Sequence, residues 1–250
     1  MSSILFEEKL LPVLTDLELK PELWPGLSVN VLFEQLMEFI EHSPAELEEQ
    51  LEVALVERVR RIAGKGEFCL EKYWAEKILL GADLKTFTYY WNYQKLIDFE
   101  VGRMKKVIGD LEEILFFGSG PLPLTAILMA QNYGLKVCCV DRDEESVKVS
   151  RSLIEKLGLE EDIKVVKGDF FDFDSYGRAQ IILMGALVGQ NEEEKAQIVE
   201  KILAVKKSEQ RGFLRTVCGM KKLLYPAVPE HLGKLICPAD KKIINSLIVI

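Results

Sequence analysis

Histidine is almost absent from this 250-residue chain: His42 and His231 are the two it has, and they stand too far apart in sequence to suggest a metal site. The cysteines Cys69, Cys138, Cys139, Cys218 and Cys237 are odd in number and form no C-x-x-C pair. That argues against a disulfide framework or a zinc site, and reduced, mostly buried thiols are expected. A basic surplus is also missing. Lys and Arg total 32 against 40 Asp and Glu, a formal charge of −8, so the surface repels phosphate backbones and no nucleic-acid partner is expected. Met1 to Leu5 carries no basic start of a signal peptide, and no apolar run reaches the roughly 18 residues of a membrane helix. A cytosolic protein without a membrane partner is therefore expected.

What is present fits a folded chain of one or two domains. Hydrophobic residues at 48% and charged residues at 29% exclude disorder over most of the length. Residues 1–108 read as successive helices. Ser43-Pro44-Ala45-Glu46 has the form of a capping box with proline at the first helical position. Leu47, Leu51, Ala54, Leu55 and Val59 follow at helical spacing, with a stop expected before Gly64. Glu46, Glu48, Glu49 and Glu52 read as its solvated face. A second helix is expected from Glu67 to Leu80, and Asp83 is expected to cap a third segment carrying Tyr89, Tyr90, Trp91 and Tyr93 toward Val107.

From Leu111 the pattern changes to short apolar runs alternating with helices, the mark of a parallel sheet wrapped by helices. The runs are Ile114 to Phe117, Lys136 to Val140, Ile163 to Val166, Ile181 to Met184 and Phe213 to Val217. Helices are expected from Leu124, Glu144 and Glu192, with a short third connection that leaves little room for one. Gly233 to Cys237 and Ile244 to Ile250, around Pro238-Ala239-Asp240-Lys241, read as a closing β-hairpin. The expected fold is α/β: a doubly wound, Rossmann-like sheet of the S-adenosylmethionine-dependent transferase kind with a terminal β-hairpin, preceded by an N-terminal helical bundle. The domains are placed at 1–108 and 109–250.

The first strand runs into Gly118-Ser119-Gly120-Pro121-Leu122-Pro123-Leu124, where a helix begins. Glycines let the backbone turn sharply and let a ligand approach it, and the helix start offers unpaired amides. Asp141 ends the next strand about 20 residues on, where an acidic side chain can accept both ribose hydroxyls; the alternative is a cap for the helix from Glu144. Asp169 ends the third strand and can accept from an adenine amino group while Phe170 packs on the ring. A nicotinamide cofactor would want a third glycine where Pro123 stands. S-adenosylmethionine is the expected ligand.

The stretch from Phe117 to Thr125 resembles the cofactor loop of nicotianamine synthases, whose proline-rich form is unusual among S-adenosylmethionine enzymes. Phe87-Thr88-Tyr89-Tyr90-Trp91-Asn92-Tyr93 is similar to the aromatic segment of that family, and Gly185-Ala186-Leu187-Val188-Gly189 to the loop after its fourth strand. Arg215-Thr216, Leu224-Tyr225-Pro226 and Ile244-Asn245-Ser246 resemble its C-terminal signatures. The resemblance spans Gly66 to Ile250. It implies a helical bundle closing over the transferase domain and transfer of the aminocarboxypropyl group of S-adenosylmethionine to an amine. Methylthioadenosine leaves and a nicotianamine-like chelator forms, so any metal is bound by the product. It further implies that Glu71 takes the proton of the amine, with Glu76 as the rival position, and that Tyr93 orients the amine. Ala186 would join the cofactor site, and Tyr90, Asn92, Arg215 and Tyr225 the substrate site. Plainer readings stand beside these: Glu71 as a solvated helix residue, the aromatic cluster as packing, Arg215 as a structural salt bridge. An N-methyltransferase and a non-catalytic S-adenosylmethionine-binding regulatory domain are the alternatives, and a homodimer is left open.

Overall fold

The computed structural model describes residues 3–240 and 243–250. The apolar runs assemble as one seven-stranded sheet in the order β3-β2-β1-β4-β5-β7-β6. The parallel strands are β1 (Glu113–Phe117), β2 (Lys136–Asp141), β3 (Ile163–Lys167), β4 (Ile181–Met184) and β5 (Arg211–Thr216). β4 is buried at every position and β1 at all but its first residue. Central parallel strands covered on both faces need such unbroken apolar runs. β6 (Lys234–Ile236) pairs antiparallel with β7 (Ser246–Val249), and β7 lies against β5. The expected hairpin is therefore present, though Lys241, at its turn, lies outside the described residues.

The helices α5 (Leu124–Tyr133), α6 (Glu144–Leu157) and α7 (Glu192–Val205) make the crossovers, and the short third connection carries none. Asp143, not Asp141, caps α6: its Oδ1 accepts from Ser146 N at 2.7 Å. Asn191 caps α7 in the same way at 2.9 Å. No helix among the described residues is long and apolar enough to cross a membrane.

The N-terminal region is helical as expected, with different boundaries. It contains α1 (Ser3–Glu18), α2 (Leu27–Glu41), a 3-10 turn over Ala45–Gln50, α3 (Val53–Leu79), a 3-10 turn over Leu84–Thr86 and α4 (Tyr90–Ile108). The capping box does not form. Ser43 Oγ donates instead to Phe39 O at 2.6 Å, closing the end of α2, and the helix proper starts only at Val53. Nor does a helix stop before Gly64. α3 runs 27 residues through Gly64 and Gly66, because the glycine at 66 is a packing position: a Cβ there would meet the Phe33 ring at 2.2 Å. The helix propensity lost at a glycine, about 1 kcal/mol, is offset by that close crossing. Asp83 caps as expected, accepting from Lys85 N at 2.8 Å, but the turn it caps is the short one before α4.

Two cores meet along α3. Its first half, through Val59, Ile62 and Cys69, packs with Phe6, Leu10, Leu14 and Leu36, side chains whose burial contributes about 1.5–3 kcal/mol each. Ala75 and Ile78 belong to the core between the sheet, α4 and α5. Met220, Leu223 and Leu224, just after β5, join the helical core. The chain beyond the fifth strand thus returns to the helices, and the middle of α3 is held over the C-terminal ends of the strands.

Candidate active site

Between β1 and β4 the strand order reverses, and the loops leaving their C-terminal ends part into a crevice. A cavity of about 310 Å³ lies there, bounded below by residues 118–122 and 185–189 and above by Glu67, Glu71 and Tyr93. Gly118 and Gly120 take φ of +75° and +67°, a region open to glycine and strained for other residues. At Gly120 the requirement is doubled: a Cβ would stand 2.3 Å from Glu71 Oε2. The carboxyl of the helical layer therefore fills the space that a side chain on the loop would take.

The cofactor candidates gather here. Asp141 Oδ2 accepts from Gly120 N at 2.8 Å and Oδ1 from Asp143 N at 2.9 Å. Each oxygen keeps a lone pair toward the cavity that Asp141 lines. Ser119, Pro121, Leu122 and Ala186 line it too. Among the described residues Asn245 Oδ1 is buried without a hydrogen-bond partner, and Ser119 Oγ has none but the Cys139 thiol beside it; a buried polar atom left so is costly unless a ligand satisfies it. Nothing in the sequence marks Asn245 beyond its place in Ile244-Asn245-Ser246. Asp169 lines the cavity and folds back on Phe171 N at 2.9 Å. Phe170 is mostly in the core, edge-on to Phe117 at 5.0 Å between centroids. Phe170 nonetheless lines the cavity, together with the neighbouring, more exposed Phe171.

On the amine side Tyr93 Oη donates to Glu71 Oε1 at 3.4 Å. One turn earlier on α3, Glu67 Oε2 accepts from Tyr225 Oη at 2.9 Å. Both carboxyls are half-buried and line the cavity. That burial, then the charges of Glu67 and Asp141, holds the Glu71 carboxyl well above the usual carboxylate range, against the pull of Tyr93 and Arg215. Burial also raises Glu67, opposed by the Tyr225 hydrogen bond and by Arg215. Glu67 was passed over in the sequence; its one available signal was the four-residue spacing to Glu71 on one helix face. Glu76 is exposed, 3.9 Å from Lys72, and does not line the cavity.

Three substrate candidates are placed differently. Tyr90 is 6% exposed in the sheet core with its ring against Trp91, and Asn92 is exposed; neither lines the cavity. Arg215 does line it, but its guanidinium is engaged. Nε and Nη2 donate to Glu100 at 2.7 and 2.9 Å, and Nη2 also reaches Thr125 Oγ1 at 2.9 Å. Behind the 185–189 loop, Lys195 donates to Ala186 O at 2.8 Å; burial, then nearby Arg60, pushes its ammonium down to about 7. The thiols divide: Cys69 and Cys139 are buried, Cys138 is partly so, and Cys218 and Cys237 are exposed. Among the described residues no three His, Cys, Asp or Glu groups gather as a metal site.

The family model "Nicotianamine synthase protein" matches residues 5–250. Nicotianamine synthase 3 of Arabidopsis thaliana is 27% identical over 97% of this chain and 83% of its own length. L-histidine 2-aminobutanoyltransferase of Pseudomonas aeruginosa is 30% identical over 50% of this chain and 46% of its own. The crystal structure of MtNAS in complex with MTA and tNA superposes with a TM-score of 0.81 at 23% identity, covering 97% of this chain and 96% of that one. A mutant of the same protein in complex with S-adenosylmethionine gives 0.78. The structural likeness extends across the helical region as well as the sheet.

Proposed function

Since this chain belongs to the nicotianamine synthase family, we propose that the acceptor amine is held on the helical side of the cavity and gives its proton to Glu71, while the donor lies along the glycine loop. The reaction is transfer of the 3-amino-3-carboxypropyl group of S-adenosylmethionine to an amine, with release of methylthioadenosine and formation of a nicotianamine-like chelator. Any of the three carbons on the sulfonium can be attacked, so positioning alone selects among them. As the amine nitrogen forms its bond to Cγ, the Cγ–S electron pair returns to sulfur and cancels its charge. The surplus proton on nitrogen goes to a carboxylate.

The contact between Glu71 and Gly120 supports this reading most directly, because it sets the proposed base against the loop that would carry the donor. Asp141 is assigned to the ribose hydroxyls, and Ser119 Oγ and Asn245 Oδ1 to polar ends of the substrates. Tyr93 is assigned to orienting the amine and Glu71 carboxyl. We leave Tyr90, Asn92 and Arg215 out of direct substrate contact. The proposal places the enzyme in the cytosol, where its five free cysteines stay reduced.

The test is incubation with S-adenosylmethionine alone and with added L-histidine, the amino acid in the Pseudomonas relative's name, followed by chromatography of the nucleosides. Methylthioadenosine is expected. S-adenosylhomocysteine as the main product would make the protein a methyltransferase, and tight binding without turnover would make it a regulatory domain.

A further inference from the structure

Glu67 faces Glu71 from the same side of α3, one helical turn away, and has no salt bridge among the described residues. The nearest guanidinium, on Arg215, is taken by Glu100 and Thr125. Two carboxyls so close in an enclosed cavity cannot both be ionised without a marked cost. Their phenol partners differ. Tyr225 meets Glu67 at 2.9 Å, a good hydrogen bond to an ionised carboxylate, while Tyr93 meets Glu71 at the long limit of 3.4 Å. The ionised form is therefore better supported at Glu67, and of the two carboxylates Glu71 has the higher proton affinity, so it accepts a proton once it is ionised.

We propose that Glu67, kept ionised by Tyr225, is a positioning residue whose negative charge makes Glu71 a stronger proton acceptor for the incoming amine. This rests on Glu71 being the base. Glu71 is faced by Glu67 on its own helix, Tyr93 on α4, Asp141 at the end of β2 and Arg215 at the end of β5. Glu67 is faced by Tyr225 and Arg215, with Tyr89 and Tyr93 near enough to feel its charge. Of the negative groups around Glu71, Asp141 has both oxygens engaged by backbone amides. Glu67 shares the amine side of the cavity and is held by a single side chain, so its influence can be removed without touching the donor loop. In the step itself the C–N bond forms, the Cγ–S bond breaks with its electrons going to sulfur, and the nitrogen proton moves to Glu71. Glu67 changes neither its bonding nor its proton count.

Two readings against pH test this in the parent, Glu71→Gln, Glu67→Gln and Tyr225→Phe. One is the protonated-carboxyl band in infrared difference spectra of the free protein, assigned to Glu71 by its loss in Glu71→Gln. The other is single-turnover methylthioadenosine formation with saturating S-adenosylmethionine, alone and with L-histidine. In Glu67→Gln the Glu71 band and the acid limb of the rate should both move to lower pH, the direction of removing a like charge one turn away. Tyr225→Phe should move both the same way by less, because Glu67 then takes a proton more readily. A Glu67→Gln rate that falls equally at all pH values, with the band unmoved, would make Glu67 merely structural and overturn the inference. If Glu71→Gln turns over normally, Glu71 is not the base and the underlying reading fails instead.

Discussion

The two walls of the cavity are built on different principles. The lower wall is mostly local: a strand, a glycine turn, a helix start and an acidic residue at the end of the next strand lie within Glu113–Asp141, and the 185–189 loop after β4 completes it. Its shape is carried by backbone, through positive φ at two glycines and amides that point at Asp141. The upper wall is assembled from residues distant in sequence, Glu67 and Glu71 on α3 and Tyr93 on α4, while Tyr225, beyond β5, does not line the cavity and bonds to Glu67. It is made of side chains alone. The lesson is that a nucleotide site can be specified by a short stretch of chain, while the site for the second substrate depends on how two cores are packed together.

The sharpest break between the walls should come from Glu71→Gln. If the upper wall does the proton chemistry and the lower wall the binding, single-turnover methylthioadenosine formation should fall by about 10²–10⁴-fold. Affinity for S-adenosylmethionine by calorimetry should change little. Stability should move the other way. A carboxyl whose folded value is raised contributes stability below the ordinary carboxylate range and loses it as pH rises through the raised value. At neutral pH the Gln variant should therefore melt higher than the parent and lose that advantage in acid. Normal turnover would dissolve the division of labour.

Glu100→Ala tests what holds the walls together. Its carboxyl is fully buried and makes two bonds to Arg215, so α4 is tied to β5 beneath the cavity. Removing one partner of such a pair strands the other charge and costs about 3–5 kcal/mol. Denaturant unfolding should show that loss. An unchanged midpoint would mean that Arg215 is free to act in the cavity after all. Asp141→Ala addresses the lower wall and should weaken S-adenosylmethionine and methylthioadenosine by about 1.5–3 kcal/mol each. Equal affinity would take Asp141 out of the ribose site.

The same contrast governs what could be read from the residues. The strands from Ile114 to Phe213 were legible because a parallel sheet buried on both faces writes itself as unbroken apolar runs. Gly118 to Leu124 was legible because its conformation demands glycine. Boundaries in the helical region were not. Ser43-Pro44-Ala45-Glu46 satisfies the local grammar of a helix start, yet Ser43 is held by Phe39. Gly64 satisfies the grammar of a stop, yet α3 runs on through it and through Gly66, which packs against Phe33. The first failure is a competing local bond at the end of α2; the second is a tertiary contact overriding local preference. Glu71 and Tyr93 carry no local mark of function and were reached only through resemblance. Glu67 and Glu100 were missed because their partners lie 158 and 115 residues away, and Asn245 because its Oδ1 has no hydrogen-bond partner among the described residues to mark it.

The smallest effect is expected at Tyr93. Its hydroxyl meets Glu71 at 3.4 Å, too long for a strong bond, and burial with the charges of Glu71 and Glu67 keeps the phenol neutral far beyond physiological pH. It can therefore donate a hydrogen bond but not take a proton from an amine. Tyr93→Phe keeps the ring, which packs against Phe87 at 6.2 Å between centroids, and removes one neutral donor with a typical net worth of about 0.5–1.5 kcal/mol. Single-turnover rates should fall by roughly 2- to 12-fold, the same range converted to a rate. With the phenol gone, the Glu71 carboxylate loses one source of support, so its proton affinity rises and the acid limb should move to higher pH. That direction is opposite to the one expected for Glu67→Gln, and measuring the two side by side separates loss of a donor from loss of a charge. A Tyr93→Phe variant as slow as Glu71→Gln would show that the phenol, not the carboxylate, organises the transfer, and that the upper wall works through a single aromatic residue.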